Sequence, residues 1–295
     1  MESRKPVELI MQPDTIRWPA PAKLNLFLYI TGQRPDGYHE LQTLFQFINR
    51  CDYLTINSNT SGNITISPAI PDVPLESNLI YKAAMLLKTY SHCSLGAHIE
   101  LEKNLPMGGG LGGGSSDAAT TLVALNYHWG LNVSQQTLAE LGKSLGADVP
   151  IFIHGKAAIA EGVGEKLSSV SPVQSHYLIA VPSCHISTPA VFNNPDLKRN
   201  TKKLSHQELM SNKWTNDCEA CVKKHYPEVA NTIDWLLEYA PTQMTGTGAC
   251  VFSTFSHANE AELLAQQTPE WLNCFTAEGL NISPLCEILT TKKSD

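Results

Sequence analysis

The stretch from Pro106 to Ala119 reads PMGGGLGGGSSDAA and places six glycines around a single leucine, Leu111. Glycine loses more backbone freedom on ordering than any other residue, so a run this dense favours neither a strand nor a helix. It is typical of a loop whose backbone closely approaches a ligand, with successive N–H groups directed at an anion. The strand-like sequence AHIELE before the run and a helical pattern after it argue against a flexible linker.

The residues after the glycines predict the start of a helix. Ser115 and Ser116 are good N-cap residues, and apolar residues then recur at helical spacing from Ala118 to Val123. The first N–H groups of a helix and its macrodipole both favour a bound phosphate. The sequence therefore predicts that this segment binds a triphosphate.

Two other nucleotide-binding motifs fit the glycine run less well. A Walker A loop ends in Gly-Lys-Ser/Thr, and no lysine follows these glycines. The dinucleotide pattern Gly108-x-Gly110-x-x-Gly113 is present, but no acidic residue ends a second strand about 20 residues further on. A dinucleotide oxidoreductase is therefore the weaker alternative, and a nucleotide-binding protein without catalytic activity is a third.

Composition limits the class of protein. A chain of 295 residues, 42% hydrophobic and 17% charged, forms one large domain or two ordinary ones. Its net charge of −7 argues against a broad nucleic-acid surface. The N-terminal sequence lacks the apolar core of a signal peptide, and no stretch approaches the ~18 apolar residues of a membrane span, so we expect a cytoplasmic protein without membrane association. The cysteines are scattered, and Cys218 and Cys221 are interpreted as reduced thiols one helical turn apart.

Near the N-terminus, alternating apolar residues predict a strand from Leu24 to Ile30, on which Lys23 and Asn25 share one face. A turn then leads directly into Tyr38 and His39. These two side chains offer a ring for stacking and an imidazole for hydrogen bonding, although a half-buried pair after a turn explains them equally well.

The remaining sequence predicts strands and helices in uneven alternation. Two short strands are expected within Asp52–Ser67, and a helix is expected from Asn78. Pro150, soon after Asp148, favours a strand over residues 151–154, because proline disfavours a helix interior. The chain is thus predicted as α+β. Its predicted divisions are an N-terminal extension at 1–17, a first domain at 18–165 and a second domain at 166–295.

Phosphoryl transfer needs a group that accepts a hydroxyl proton and charges that stabilise the moving phosphoryl group. Asp148 is the best candidate base, since a lone carboxylate at the junction of two elements projects from a rigid edge. Lys23, at the start of an apolar strand, is the best candidate for its charge partner. An ordinary turn aspartate and a solvated strand-end lysine explain the same residues, and no local spacing brings the two together. The small-residue loop Gly246–Gly248 either packs on the glycine run, touches phosphate or forms a plain turn.

Together these segments resemble the GHMP kinase superfamily, named for galactokinase, homoserine kinase, mevalonate kinase and phosphomevalonate kinase. The resemblance extends from about residue 18 to the end of the chain. It rests on PAKLNLFLYITGQRPDGYHELQTLFQ at 21–46, LPMGGGLGGGSSDAA at 105–119, LGADVPIF at 145–152, AEGVGE at 160–165 and TGTGACVF at 245–252. The DGYHELQT stretch resembles the sequence found in one branch of the superfamily, whose members act on a cytidine-diphosphate-linked methylerythritol.

The resemblance implies ATP-dependent phosphorylation of the 2-hydroxyl of that substrate, in the non-mevalonate pathway of isoprenoid synthesis. It implies a ribosomal-protein-S5-like first domain with a left-handed βαβ unit, against the usual right-handed rule, and a ferredoxin-like second domain. Mg²⁺ is expected to travel with ATP, held mainly by the phosphates and water, with no metal bound by the protein alone. The implied partner is the small-molecule substrate, and the expected state is a monomer or weak homodimer.

The resemblance also assigns the site residues. It makes Asp148 the general base and Lys23 its charge partner. The expected ATP contacts are Pro106, Met107, Gly108, Gly109, Gly110, Leu111, Gly112, Gly113, Gly114, Ser115 and Ser116, with Asn78 and Lys103 on the adenine side. The expected substrate contacts are Asn25 near the hydroxyl and Tyr38, His39, Thr188 and Phe192 around the cytosine. Asp117 departs from the family, which often carries an amide there, so its role toward Mg²⁺ stays open.

Overall fold

The computed structural model describes residues 16–71, 73–211 and 213–294. Residues 1–15, where most of the predicted extension falls, lie outside the described chain. At its start Ile16 is buried and Arg17 begins the first strand. No helix in the described ranges combines the length and the apolar character needed to cross a membrane.

The first part of the chain forms a mostly antiparallel sheet covered by helices. Its strands are β1 (Arg17–Gln33), β2 (His39–Asn59), β3 (Ile64–Ser67), β4 (Gly96–Glu102), β5 (Ala158–Gly162) and β6 (Lys166–Ser169). Its helices are α1 (Leu79–Ser91), α2 (Gly113–His128), α3 (Gln135–Lys143) and α4 (Val149–His154), and a single 3₁₀ turn covers Leu75–Ser77.

Strand β2 is the centre of this sheet. It is 21 residues long and pairs antiparallel with β1, β4 and β5. The sequence predicted that the first short strand within Asp52–Ser67 is separate from the residues before it, since the polar pair Asn49 and Arg50 interrupts the apolar pattern. The strand continues through them, and Arg50 Nε donates to the carbonyl of Thr276 on a neighbouring strand at 2.9 Å. The separate-strand prediction was therefore wrong.

A βαβ unit lies at one edge of the sheet. Strands β3 and β4 pair in parallel, and α1 connects them. Helices α1 and α2 pack with the sheet around a core that includes Trp18, Phe47, Ile80 and Leu122, each at most 1% exposed. Burying side chains of this size contributes about 1.5–3 kcal/mol each, so this core holds α2 firmly against the sheet. The handedness of the unit stays a prediction.

The second part of the chain has the ferredoxin-like order. Its strands are β7 (His176–Val181), β8 (Thr242–Met244), β9 (Val251–Phe255) and β10 (Asn273–Leu280), and its helices are α5 (Thr188–Phe192), α6 (His206–Ser211), α7 (Glu219–His225), α8 (Pro227–Leu237), α9 (Ala258–Gln267) and α10 (Pro284–Ser294). The antiparallel sheet runs β10-β7-β9-β8, with helices before β8 and between β9 and β10. This is the βαββαβ arrangement expected for the second part.

The two parts share one continuous sheet path. Gly279 and Leu280 of β10 pair with Ile48 and Phe47 of β2. This pairing fixes the second part against β2. As a result, loops of the first part and loops of the second part face one another across a cleft. All eight cysteines are free thiols, as the sequence predicted for Cys218 and Cys221.

Candidate active site

The glycine run forms a compact loop at the N-terminus of α2. Gly108, Gly110 and Gly112 have φ values of +71°, +79° and +76°, a left-handed conformation that other residues rarely adopt. Gly112 is the N-cap, and α2 begins at Gly113. The predicted cap at Ser115 or Ser116 is therefore wrong, because the left-handed Gly112 caps the helix three residues before Ser115 and leaves both serines inside its first turn.

The protein holds this loop by its carbonyl groups. The backbone N–H of Lys23 donates to the Leu111 carbonyl at 3.0 Å, and that of Cys250 donates to the Gly109 carbonyl at 3.0 Å. The first N–H groups of a helix have no partner within the helix. The glycines and Ser115 line a cavity of about 570 Å³, so these N–H groups are available to an anion there. The Leu111 side chain is 1% exposed and packs in the core, which leaves only its backbone to the loop.

The second small-residue loop packs on the first. A Cβ at Gly110 would lie 2.5 Å from the carbonyl oxygen of Thr245 and 3.1 Å from that of Gly248. The hydroxyl of Thr245 accepts the backbone N–H of Asn25 at 2.9 Å. Of the three interpretations of Gly246–Gly248, the structure thus favours packing on the glycine run.

Asp148 stands at the N-terminus of a helix. Residues 151–154, which the sequence predicted as a strand, belong to α4 (Val149–His154), with Asp148 as N-cap. Proline is tolerated in the first turn, where its missing N–H is not needed, so Pro150 favours this helix start. The Asp148 carboxylate makes no capping hydrogen bond and is 37% exposed in the cleft.

Lys23 and Asp148 meet in the structure. The ammonium Nζ of Lys23 lies 3.3 Å from Oδ2 of Asp148. It also donates to Oδ1 of Asn25 at 2.6 Å and to the carbonyl of Gly110 at 2.9 Å. The lysine is 2% exposed, and a buried ammonium is stable only with such partners. Lys23 thereby joins the glycine loop to the candidate base.

The amide of Asn25 is occupied by protein contacts. Its Oδ1 accepts from Lys23, and its Nδ2 donates to the hydroxyl of Thr43 at 2.8 Å. The residue is 3% exposed. A substrate contact by Asn25 would use the second hydrogen of Nδ2, and the main observed effect of the side chain is to position Lys23.

A second cavity, of about 470 Å³, opens on the other side of Asp148. It is lined by the predicted substrate residues Asn25, Tyr38, His39, Thr188 and Phe192. The two cavities share Gly110, Ser115, Asp148, Thr188 and Pro189. The candidate base therefore stands where the cavity of the glycine loop and this second cavity join.

Aromatic rings define the far end of this second cavity. Tyr38 is 62% exposed at its mouth, whereas His39 is buried and stacks on Phe192 with ring centroids 5.0 Å apart. Arg199 donates to the imidazole of His39 at 3.0 Å. Arg199 is absent from the predicted site residues, because no local motif marks it and its partner lies 160 residues away in the chain.

The two residues predicted for the adenine side line the cavity of the glycine loop. Asn78 caps α1, where its Oδ1 accepts the backbone N–H of Ile80 at 2.9 Å. Lys103 forms ion pairs with two buried carboxylates, Asp52 and Asp117. Its ammonium lies under the first turn of α2, next to Gly113.

Asp117 is the carboxylate of this group whose ionisation is disfavoured, and it shares the Lys103 ammonium with Asp52. Burial raises its pKa to about 7 against the opposing charge of Lys103, and the neighbouring Asp52 adds to the rise. Within the described ranges, Oδ1 of Asp117 and Oγ of Ser116 are buried and have no hydrogen-bond partner. Both are hard oxygen atoms of the kind that Mg²⁺ prefers.

Two family models and a curated relative match this chain. Residues 78–156 match the family model described as GHMP kinases N terminal domain, and residues 195–274 match that described as GHMP kinases C terminal. A relative from Psychromonas ingrahamii named 4-diphosphocytidyl-2-C-methyl-D-erythritol kinase is 68% identical over 280 residues, which cover 95% of this chain and 99% of the relative.

Two further comparisons agree with these. A relative of the same name from Tolumonas auensis is 58% identical and covers 94% of this chain and 97% of its own length. A crystal structure of 4-(cytidine 5'-diphospho)-2C-methyl-D-erythritol kinase superposes with a TM-score of 0.79 at 30% identity, over 90% of this chain and 99% of that one.

Proposed function

Because the chain belongs to the GHMP kinase family, and within it to the 4-diphosphocytidyl-2-C-methyl-D-erythritol kinases, we propose that it transfers the γ-phosphoryl group of ATP to the 2-hydroxyl of 4-diphosphocytidyl-2-C-methyl-D-erythritol. The products are ADP and the 2-phosphate, in the non-mevalonate synthesis of isoprenoid precursors. The enzyme is proposed to act in the cytoplasm as a monomer or weak homodimer, without nucleic acid or membrane.

The observation that carries this function is the meeting of two cavities at Asp148. ATP phosphates are proposed to bind the glycine loop and the first turn of α2, through backbone N–H groups and the helix dipole. The cytidine end of the substrate is proposed to occupy the other cavity, against Tyr38, His39 and Phe192. This arrangement brings the substrate hydroxyl and the γ-phosphate together next to the Asp148 carboxylate.

In the reaction, the substrate oxygen forms a bond to the γ-phosphorus while the bond from that phosphorus to the bridging oxygen of ADP breaks. Asp148 accepts the hydroxyl proton as general base. Lys23, 3.3 Å away, is the charge partner of Asp148 and connects it to the Gly110 carbonyl. Most of the rate acceleration is expected from positioning and electrostatic stabilisation, as in other phosphoryl transfers.

Mg²⁺ is proposed to travel with ATP. The buried, unpartnered oxygens of Ser116 and Asp117, at the base of the glycine loop, fit such an ion. When bound, Mg²⁺ would neutralise part of the charge on the phosphates.

The test is ADP release by the purified protein with the cytidine-linked diphosphate alcohol, with the free alcohol and with neither. We expect substrate-dependent release with the cytidine-linked compound alone. Equal turnover of the free alcohol would instead indicate a GHMP kinase that does not use the nucleotide end. Binding of ATP without release under any condition would contradict the catalytic assignment.

A further inference from the structure

Arg199 holds the histidine of the substrate cavity in place. Its Nε–H donates to Nε2 of His39 at 3.0 Å. Its Nη1 donates to the carbonyl of Leu197 at 3.0 Å, and its Nη2 donates to the carbonyls of Phe192 and Asn194 at 2.8 Å each. Because backbone carbonyls fix the planar guanidinium, its Nε–H group stays aimed at His39.

This contact fixes the protonation of the imidazole. A guanidinium offers donors and no acceptor, so Nε2 of His39 must use its lone pair and the single ring proton must lie on Nδ1. Burial and the adjacent charge of Arg199 both lower the pKa of His39, which agrees with a neutral ring. The stack on Phe192, with an interplanar angle of 26°, fixes the orientation of the ring as well.

We propose, resting on the function proposed above, that Arg199 is a positioning residue that makes the site select cytosine over uracil. It keeps Nδ1–H of His39 as a fixed donor toward the base. Ring atom N3 is an acceptor in cytosine and carries a hydrogen in uracil. A fixed donor therefore matches cytosine and opposes uracil, whereas an imidazole free to change tautomer would accept both.

The other three side chains proposed to contact the base do not supply this discrimination. Tyr38 and Phe192 present ring faces, and aromatic stacking tolerates any base. The Thr188 hydroxyl, which is hydrogen-bonded to Thr247, can act as donor or acceptor. The discrimination at N3 is therefore assigned to the imidazole edge and, through it, to Arg199.

The kinetic test compares kcat/KM for the cytidine-linked alcohol and its uridine-linked analogue at saturating ATP. We expect the wild type to prefer the cytidine compound and Arg199→Met to lose about tenfold of that preference, because one mismatched hydrogen bond is removed. Lys202→Met, which removes an exposed charge three residues away, is the control and should keep the preference. A folded Arg199→Met enzyme with unchanged preference would overturn the proposal. A wild type inactive on both compounds would contradict the proposed function instead.

A spectroscopic test addresses His39 without using activity. In ¹⁵N-histidine-labelled wild type at pH 7, we expect His39 to carry its proton on Nδ1 and to leave Nε2 unprotonated. Loss of its signals in His39→Gln assigns them among the ten histidines. Arg199→Met should show exchange between tautomers, which loss of packing alone would not produce. A wild-type His39 that is protonated on Nε2, or charged, would overturn the proposal even if the variant failed to fold.

Discussion

The two ends of the cleft are built from different parts of the chain. At the phosphate end, left-handed glycines at Gly108, Gly110 and Gly112 shape a loop of main-chain atoms. At the base end, the side chains of Tyr38 and His39 line the cavity. A site built from main-chain atoms tolerates almost no added side chain. A site built from side chains can change its ligand preference when single residues are replaced. We therefore expect mutations at the first end to abolish binding and mutations at the second to alter selectivity.

Asp148 lines both cavities, so its replacement should have the largest effect on activity. Asp148→Asn keeps the shape of the side chain but removes the proton acceptor, and kcat should fall about 10²–10⁴-fold. ATP affinity should change little, because the loop N–H groups are intact. Steady-state kinetics and ATP titration measure the two quantities, with the exposed Asp234→Asn as control. Full turnover by Asp148→Asn would remove Asp148 from its role.

A methyl group on the loop should test the main-chain end. In Gly110→Ala, Cβ would lie 2.5 Å from the Thr245 carbonyl oxygen at a φ of +79°. The clash adds to the strain of the left-handed backbone, so the free energy of unfolding should fall by about 2–3 kcal/mol, and ADP affinity should also fall.

Gly130→Ala separates these two causes. Its φ of +61° carries similar strain, but nothing lies within 4 Å of the added Cβ. We expect a loss of about 1 kcal/mol and unchanged ADP affinity. Denaturant unfolding and calorimetry measure both variants. Equal losses in the two would show that the contact between the loops does not matter.

Replacing a ring should test the side-chain end. Tyr38→Leu should raise KM for the cytidine-linked substrate about tenfold, because stacking on a base contributes about 1–3 kcal/mol. KM for ATP should not change. The matched control is Tyr239→Leu, at a tyrosine that is 50% exposed and lies outside the cavity. A rise in both KM values would contradict the separation of the two ends.

The smallest expected effect concerns Asp117, below the loop. Its pKa is raised from 3.8 to about 7, so folding favours the protonated acid and stability falls as the pH rises through that window. Asp117→Asn cannot ionise. The loss of unfolding free energy between pH 5 and pH 8 should therefore be smaller in the variant than in the wild type. Equal losses in wild type and variant, measured by denaturant unfolding, would show that Asp117 does not carry this charge cost.

Local patterns predicted what depends on local chemistry. The glycine run could be predicted as an ordered loop that leads into a helix, because the backbone requirements of such a loop appear directly in the sequence. The helix start at Val149 was missed, because a proline that disfavours a helix interior is also favourable in a first turn, where Pro150 lies. The continuity of β2 was missed because Asn49 and Arg50 are polar, although a strand partner satisfies Arg50.

Contacts between distant residues could not be predicted from spacing. The meeting of Lys23 with Asp148 depends on how β1 packs against α4 and the glycine loop, and it was expected only through family resemblance. The hydrogen bond from Arg199 to His39 joins a segment after α5 to the start of β2, and the two carry no common motif. Such contacts arise from tertiary packing, which local sequence patterns do not predict.

The most direct measurement is a crystal structure of the protein with a non-hydrolysable ATP analogue and the cytidine-linked substrate. The account predicts the phosphates on the glycine loop, the cytosine between Tyr38 and Phe192, and the substrate hydroxyl about 3–3.5 Å from the γ-phosphorus, next to Asp148. A triphosphate bound elsewhere, or an Asp148 carboxylate turned away from that hydroxyl, would contradict it.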